Sequence, residues 1–289
     1  MTHNSDSELA SAFQNAPGSL VAQAKRVDAF FQRFGVDSLQ VPEENREDWI
    51  PLLSCLGVSV LRSGRIDRAL FYQLREPWLS PALWPVTPYA GLAQSARAVL
   101  PDGVVYERHV AALGGTLSLR CASVTEDGER FWRWQNEPRV SRVWEYAWPR
   151  KQLDDYLRER LDDPHSMPLI ACLDEHPFGY VEAYWAQEDR LGDYYDAQPW
   201  DAGFHLLVGE AWFLGRGRAI HLINGISHFL FLLDPRTGCL VGEPRADNAV
   251  LLRYLSQTAW YKEREFDFPH KRAALVKCDR LAFFHTTRL

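Results

Sequence analysis

In the run HLLVGEAWFLGRGRA, His205 to Ala219, several residues capable of chemistry fall close together. His205 heads an apolar stretch, and an imidazole can take or give a proton near neutral pH. Gly209 interrupts that stretch, as glycine does where a strand bulges or another group comes close to its backbone. Gly215 and Gly217 then stand one residue apart before a helical pattern. Backbone N–H groups at such a turn, with the start of the helix behind them, can hold phosphate. Arg216 and Arg218 add positive charge. Two further clusters follow the same logic: Glu182, Tyr184 and Trp185 in VEAYW, and Glu243 with Asn248 in GEPRADN. Each also has a plainer reading: His205 as a satisfied core residue, the glycines as a turn, Glu182 as a solvated strand end, and Asn248 or Asp247 as a helix cap.

Three phosphate-binding templates compete for the glycines. The Walker loop needs Gly-Lys-Ser/Thr, which is absent. The dinucleotide fingerprint needs a small residue where Ile220 stands. The third is the pyrophosphate turn of the GNAT acyltransferases, Gln/Arg-x-x-Gly-x-Gly/Ala. Gly215 and Gly217 fit it, and Trp212 replaces the usual Gln or Arg. Main-chain amides do most of the anion binding there, so the departure is mild.

Strands and helices must position these residues. LVAQAKRVDAFFQRFG predicts an amphipathic helix with Leu20, Ala24, Val27, Phe30, Phe31 and Phe34 on one face and Gly35 as its stop. The segment from Glu76 to Gly103, rich in Pro and Gly, reads as an irregular connector. Beyond it, TLSLRCASV, the two halves of PLIACLDEHPFGYVEAYWA, GFHLLVGEAWF and CLVGEP read as strands. EREFDF and RAALVKCDRLAFF read as a final strand pair. PRKQLDDYLRERLDD, GRAIHLINGISHFLFLL and DNAVLLRYLSQTAW read as helices. The second of these carries Ala219, Leu222, Ile223, Ile226, Phe229, Leu230 and Leu233 on one face. The alternation predicts an α/β fold with helices packed on a sheet, in two regions: 1–110, partly helical with a Pro-rich connector, and 111–289.

Bulk properties bound the function. With 289 residues and a formal charge of −6, the chain is no phosphate-driven nucleic-acid binder. It carries no apolar run long enough to span a bilayer and no signal-peptide pattern, so a cytoplasmic protein is expected. Five scattered cysteines lack zinc or redox spacing, and His221 and His228 lie seven apart on a helix, so no metal is expected. Four of eleven tryptophans fall in FWRWQNEPRVSRVWEYAW, which fits either a heavy core or an aromatic wall around a ligand.

Taken in order, FWRWQNEPRVSRVWEYAW, GYVEAYWAQEDRLGDYYDAQPWDAGFHLLVGE, LGRGR, GEPRADN and FPHKRAALV closely resemble the GNAT acyltransferases of hydroxamate siderophore biosynthesis. These are the aerobactin-type N-hydroxylysine acetyltransferases and their relatives in rhizobactin, alcaligin and mycobactin pathways. The likeness runs from about Leu117 to Leu289. It implies the GNAT fold, a mixed, mostly antiparallel sheet flanked by helices, here behind an N-terminal extension. It also implies an acyl-CoA co-substrate, acetyl-CoA first, and a small hydroxylamine acceptor (hydroxylated lysine, ornithine or a diamine), with other pathway enzymes as possible partners.

By this resemblance His205 takes the proton and Glu243 orients it or holds the substrate. Leu207, Val208, Leu214, Gly215, Arg216, Gly217, Arg218, Ala219 and Asn248 bind the carrier. Glu182 meets the amine or hydroxylamine, and Tyr184, Trp185 and Trp148 line its alkyl chain. The tyrosine that many GNAT proteins use to protonate the thiolate is replaced by Leu255, with Tyr254 beside it. Lys271 in FPHK is a candidate for a substrate carboxylate or a carrier phosphate. An aminoglycoside acetyltransferase and a non-catalytic acyl-CoA-binding scaffold remain the alternatives.

Overall fold

A computed structural model describes residues 13–14, 18–83 and 100–289. Contacts divide the chain into two compact units: residues up to Trp78 with 284–288, and 79–283. Most of the connector expected between Glu76 and Gly103 lies outside the described residues.

The first unit opens with α1 (Leu20–Phe34), which has the predicted bounds. Ser19 accepts from the Ala22 amide, and Gly35 ends the helix at φ 60°, a left-handed stop that glycine adopts freely. Strands β1 (Ser38–Gln40) and β2 (Arg65–Asp67) pair antiparallel. Short helices α2 (Ile50–Cys55), α3 (Val58–Ser63) and α4 (Arg68–Phe71) complete it. Phe31, Phe71 and Tyr72 are buried together, and the Tyr72 hydroxyl donates to buried Asp28 at 2.8 Å.

The second unit is built on an eight-stranded sheet. In chain order its strands are β3 (Val104–Val110), β4 (Gly115–Cys121), β5 (Ser166–Leu173), β6 (His176–Trp185), β7 (Ala202–Val208), β8 (Cys239–Gly242), β9 (Tyr261–Phe268) and β10 (Lys271–Asp279). The spatial order is β3-β4-β5-β6-β7-β8-β10-β9, with every neighbour antiparallel except β7 and β8. That parallel contact comprises only Ala202↔Leu240 and Gly203↔Val241, and beyond it the two strands diverge. The mostly antiparallel sheet matches the expected fold class.

Helices α5 (Val124–Gln135), α6 (Pro138–Trp144) and α7 (Arg150–Asp162) pack Phe131, Trp134, Val140, Leu153 and Leu157 against Ile170, Tyr180 and Leu207 of the sheet. On α5 the buried Asp127 is held by Arg120 at 2.6 Å and Arg130 at 2.5 Å, which offsets the cost of an internal carboxylate. Side chains alternate across a strand, so Phe204 faces away from the side that carries His205 and Leu207. There it meets Trp260, whose indole donates at 3.0 Å to Ser227 of α8 (Arg218–Leu233). Helix α9 (Ala249–Leu255) follows β8, and α10 (Arg280–Thr286) follows β10.

Three readings of the elements need correction. GFHLLVGEAWF is not one strand: β7 stops at Val208, and Ala211–Phe213 form a 3-10 turn. The amides of Gly209 and Glu210 both donate to the Phe178 carbonyl, at 2.7 and 2.9 Å, which is the bulge expected of that glycine. A Cβ on Gly209 would lie 2.1 Å from the Trp134 ring, so the close approach is present too. RAALVKCDRLAFF is not all strand, because RLAFF belongs to α10. Helix α8 is buried from Leu222 to Leu233 on every side and not along a single face.

Candidate active site

The cleft opens where β7 and β8 part. Glu182 and His205 are cross-strand partners in the β6–β7 ladder, so their side chains emerge on one face of the sheet. Two residues along, Tyr184 pairs with Gly203. A side chain at 203 would strike the Tyr184 ring, with a Cβ only 2.4 Å from it. Glycine there lets the ring lie across β7, and its hydroxyl reaches Glu243 at 3.1 Å. Glu243 is the first residue after β8 and is 2% exposed.

These groups form one polar network. His205 Nε2 lies 3.1 Å from Glu243 Oε1, and His205 Nδ1 lies 3.6 Å from Glu182 Oε1. The other Glu182 oxygen accepts from Tyr156 at 2.6 Å and Tyr180 at 2.9 Å. Glu243 Oε1 also faces Lys271 Nζ at 3.4 Å and Arg190 Nη2 at 3.5 Å. An imidazole with a carboxylate at each nitrogen is best served by a hydrogen on both, the imidazolium form.

The electrostatics agree with that geometry. Burial works against a charged His205, but Glu243 and Glu182 outweigh it and raise its pKa to about 10. Burial would raise Glu243, yet His205, Lys271 and Arg190 hold it well below the usual carboxylate range. Glu182 is likewise lowered: burial opposes ionisation, and His205 with the two tyrosines overcomes it. Burial and Glu243 push Tyr184 far up, so its hydroxyl stays a donor.

A cavity of about 820 Å³ surrounds the network. His205, Glu243, Glu182, Tyr184, Trp185 and Asn248 all line it. Asn248 also caps α9, accepting from the Leu251 amide at 3.2 Å, so its cap reading and its place in the cleft both hold. Trp148 is not in the wall. It stacks on Tyr146, which is, at 4.3 Å between ring centres. Of the tryptophans in that segment, Trp134 is core and Trp144 lines the cavity, so the aromatic cluster serves both purposes. Leu255 faces the cavity and Tyr254 does not.

The glycine turn lies outside this cavity. Gly215, Arg216 and Gly217 take φ of 82°, 52° and 71° ahead of the sixteen-residue α8. Among the described residues their amides make no backbone hydrogen bond to each other or elsewhere, which leaves them free to accept an anion at a helix N-terminus. Leu214 and Arg216 are exposed, and Arg218 donates to the Trp212 carbonyl at 2.5 Å. Leu207 is buried in the core below, and the Val208 carbonyl accepts from Arg139. The turn therefore suits a diphosphate, with main-chain amides and Arg216 as the groups to hold it.

A model of the GNAT acetyltransferase domain matches residues 123–268. The N(6)-hydroxylysine O-acetyltransferase of Escherichia coli is 44% identical over 233 residues, covering 78% of this chain and 73% of that one. The chain belongs to the GNAT acyltransferases.

A fungal relative, the N(5)-hydroxyornithine:cis-anhydromevalonyl coenzyme A transacylase of Beauveria bassiana, is 44% identical over 187 residues. That match covers 64% of this chain and 41% of the longer fungal protein. Among solved structures, an aminoglycoside acetyltransferase in complex with coenzyme A shares the fold at a TM-score of 0.54 and 23% identity, over 59% of this GNAT chain and 98% of the other. The membership accounts for the splayed strands and the turn. Tyr156, Tyr180 and Arg190, which the motifs did not single out, join the same polar network.

Proposed function

We propose that this chain is an acyl-CoA-dependent N-acyltransferase that acylates the hydroxylamine nitrogen of a hydroxylated lysine, ornithine or related diamine, forming a hydroxamate for a siderophore. Acetyl-CoA is the proposed donor. The observation that carries the reading is the His205–Glu243–Glu182 network at the splay of β7 and β8, in a chain 44% identical over 233 residues to a hydroxylysine acetyltransferase.

The nitrogen lone pair attacks the thioester carbonyl, the C–S bond breaks, the nitrogen loses a proton and the sulfur gains one. A hydroxylamine is weakly basic and is already unprotonated near neutral pH, so positioning and proton transfer matter most. His205 holds its proton up to about pH 10 and is no free base in the resting enzyme. Bonding to the carbonyl carbon makes the nitrogen acidic, and its proton passes to water. Glu243, held well below the usual carboxylate range, keeps the His205 imidazolium charged, and the imidazolium gives its proton to the leaving thiolate and regains one from water. Glu182, anchored by Tyr156 and Tyr180, keeps the ring in place. The turn at Gly215–Gly217, with Arg216, holds the diphosphate of the carrier. Tyr146, Tyr184 and Trp185 flank the alkyl chain of the acceptor.

Thiol release from acetyl-CoA with N6-hydroxylysine, against unmodified lysine, tests the reading. Release with the hydroxylated amine alone, together with a ferric-hydroxamate colour, is expected. Release without the colour would place the acyl group on oxygen, as the name of the Escherichia coli relative has it. Release with neither amine sinks the acceptor assignment.

A further inference from the structure

Glu243 draws three cationic side chains to a single oxygen. One of its oxygens faces His205, Lys271 and Arg190, the last two at 3.4 and 3.5 Å. Good charge-assisted bonds of this kind are about 2.7–2.9 Å long. An ammonium has three donors and a guanidinium five. Among the described residues Glu243 is the one hydrogen-bond acceptor for Lys271 and for Arg190. The Lys271 side chain is only 13% exposed, an expensive place for an under-coordinated charge. Burial, with Arg190 adding to it, lowers its pKa against the pull of Glu243.

Both side chains line the cavity and place their charges near the Phe268 ring, Arg190 at 5.6 Å and Lys271 at 5.5 Å from its centre. The neighbouring acid Asp189 is turned to its own backbone, accepting the Leu191 amide at 2.9 Å. On the rim, Arg245 is paired with Asp247 at 3.1 Å.

We propose that Lys271 and Arg190 form a carboxylate-binding pair that seats the α-carboxylate of the acceptor, so that this enzyme takes a hydroxylated amino acid and rejects the corresponding simple diamine. The proposal rests on the acyltransferase reading above. The pair stands one carboxylate away from His205, and an extended lysine skeleton separates its side-chain nitrogen from its carboxyl carbon by about 7 Å over six bonds. A hydroxylamine at His205 and a carboxylate at Lys271 are ends that such a molecule can reach together. The carboxylate completes the donors that Glu243 leaves unfilled.

The test is steady-state kinetics with acetyl-CoA and two acceptors, N6-hydroxylysine and N-hydroxycadaverine, which differ by that carboxylate alone. The wild type is expected to favour hydroxylysine in kcat/KM by about 10- to 100-fold, the usual worth of hydrogen bonds to a charged group. In Lys271→Met and Arg190→Gln this ratio is expected to fall at least tenfold, and Lys271→Arg to keep most of it. A ratio near one in the wild type overturns the proposal while leaving the acyltransferase reading intact, and that arm needs no variant to fold. A ratio unchanged in both variants overturns it equally. If the variants lose turnover with succinyl-CoA but not with acetyl-CoA, the carboxylate seated here is the donor's, and the proposal fails. Turnover of neither acceptor by the wild type removes the hydroxylated-amine assignment and this inference with it.

Discussion

His205 sits between two carboxylates, and that fixes how it responds to pH. Its folded pKa, about 10, is above the value of 6.5 it has when unfolded. The stabilisation from its two ion pairs is therefore complete below pH 6.5 and is lost as pH rises through about 10. Denaturant titrations of wild type and His205→Gln should show a gap that narrows across that window. A constant gap would mean that the ring contributes by packing alone. Catalysis follows the same sign. If the imidazolium is the working form, kcat/KM falls as pH passes about 10, whereas a neutral-base role gives a rate that climbs there. Turnover by His205→Gln should drop roughly 10²- to 10⁴-fold, the usual range for proton-transfer groups, with coenzyme A still bound in a calorimetric titration.

At the scale of elements, the end of β7 is the most tightly specified backbone in the site. Two amides share the Phe178 carbonyl, Arg139 donates to the carbonyls of Val208 and Gly209, and the Trp134 ring fills the space a side chain at 209 would need. Gly209→Ala should cost about 1–3 kcal/mol of stability through overpacking, read from urea unfolding, and should weaken coenzyme A binding as well. Unaltered affinity in a folded variant would separate the bulge from the carrier. The sequence was legible here because glycine types and apolar runs report local backbone. His205 and Glu243 were readable as a pair once the strand pattern and the motifs were joined. Tyr156 and Tyr180 were not, because each looks like a core aromatic until its hydroxyl is seen to end on Glu182. Arg190 comes from a loop, where no periodicity reports direction. Helix α5 hid its character in a charged segment, with Asp127 turned inward and neutralised by two arginines. RLAFF was ambiguous because a short apolar run fits strand and helix alike.

At the scale of the whole molecule, the cavity and the glycine turn both fall within the unit of residues 79–283. Among the described residues no helix is long and apolar enough to cross a membrane. A ligand that binds only the folded site raises the unfolding free energy by about 2.7 kcal/mol at a hundred times its Kd. Coenzyme A at that concentration should therefore raise the melting temperature, and Gly215→Ala, which forces a side chain into φ 82°, should blunt the rise. An equal rise in the variant would move the carrier away from the turn.

The parting of β7 from β8 after two register pairs has a consequence for how such a protein can change over time. In the proposed reading the carrier is held by main-chain groups, along an unpaired strand edge and at a helix start. The acceptor is held by side chains: Tyr184, Trp185, Lys271 and Arg190. Mutation rewrites side chains freely and main-chain amides hardly at all. A lineage can then exchange one amine for another by a handful of substitutions and never put its use of the shared acyl currency at risk.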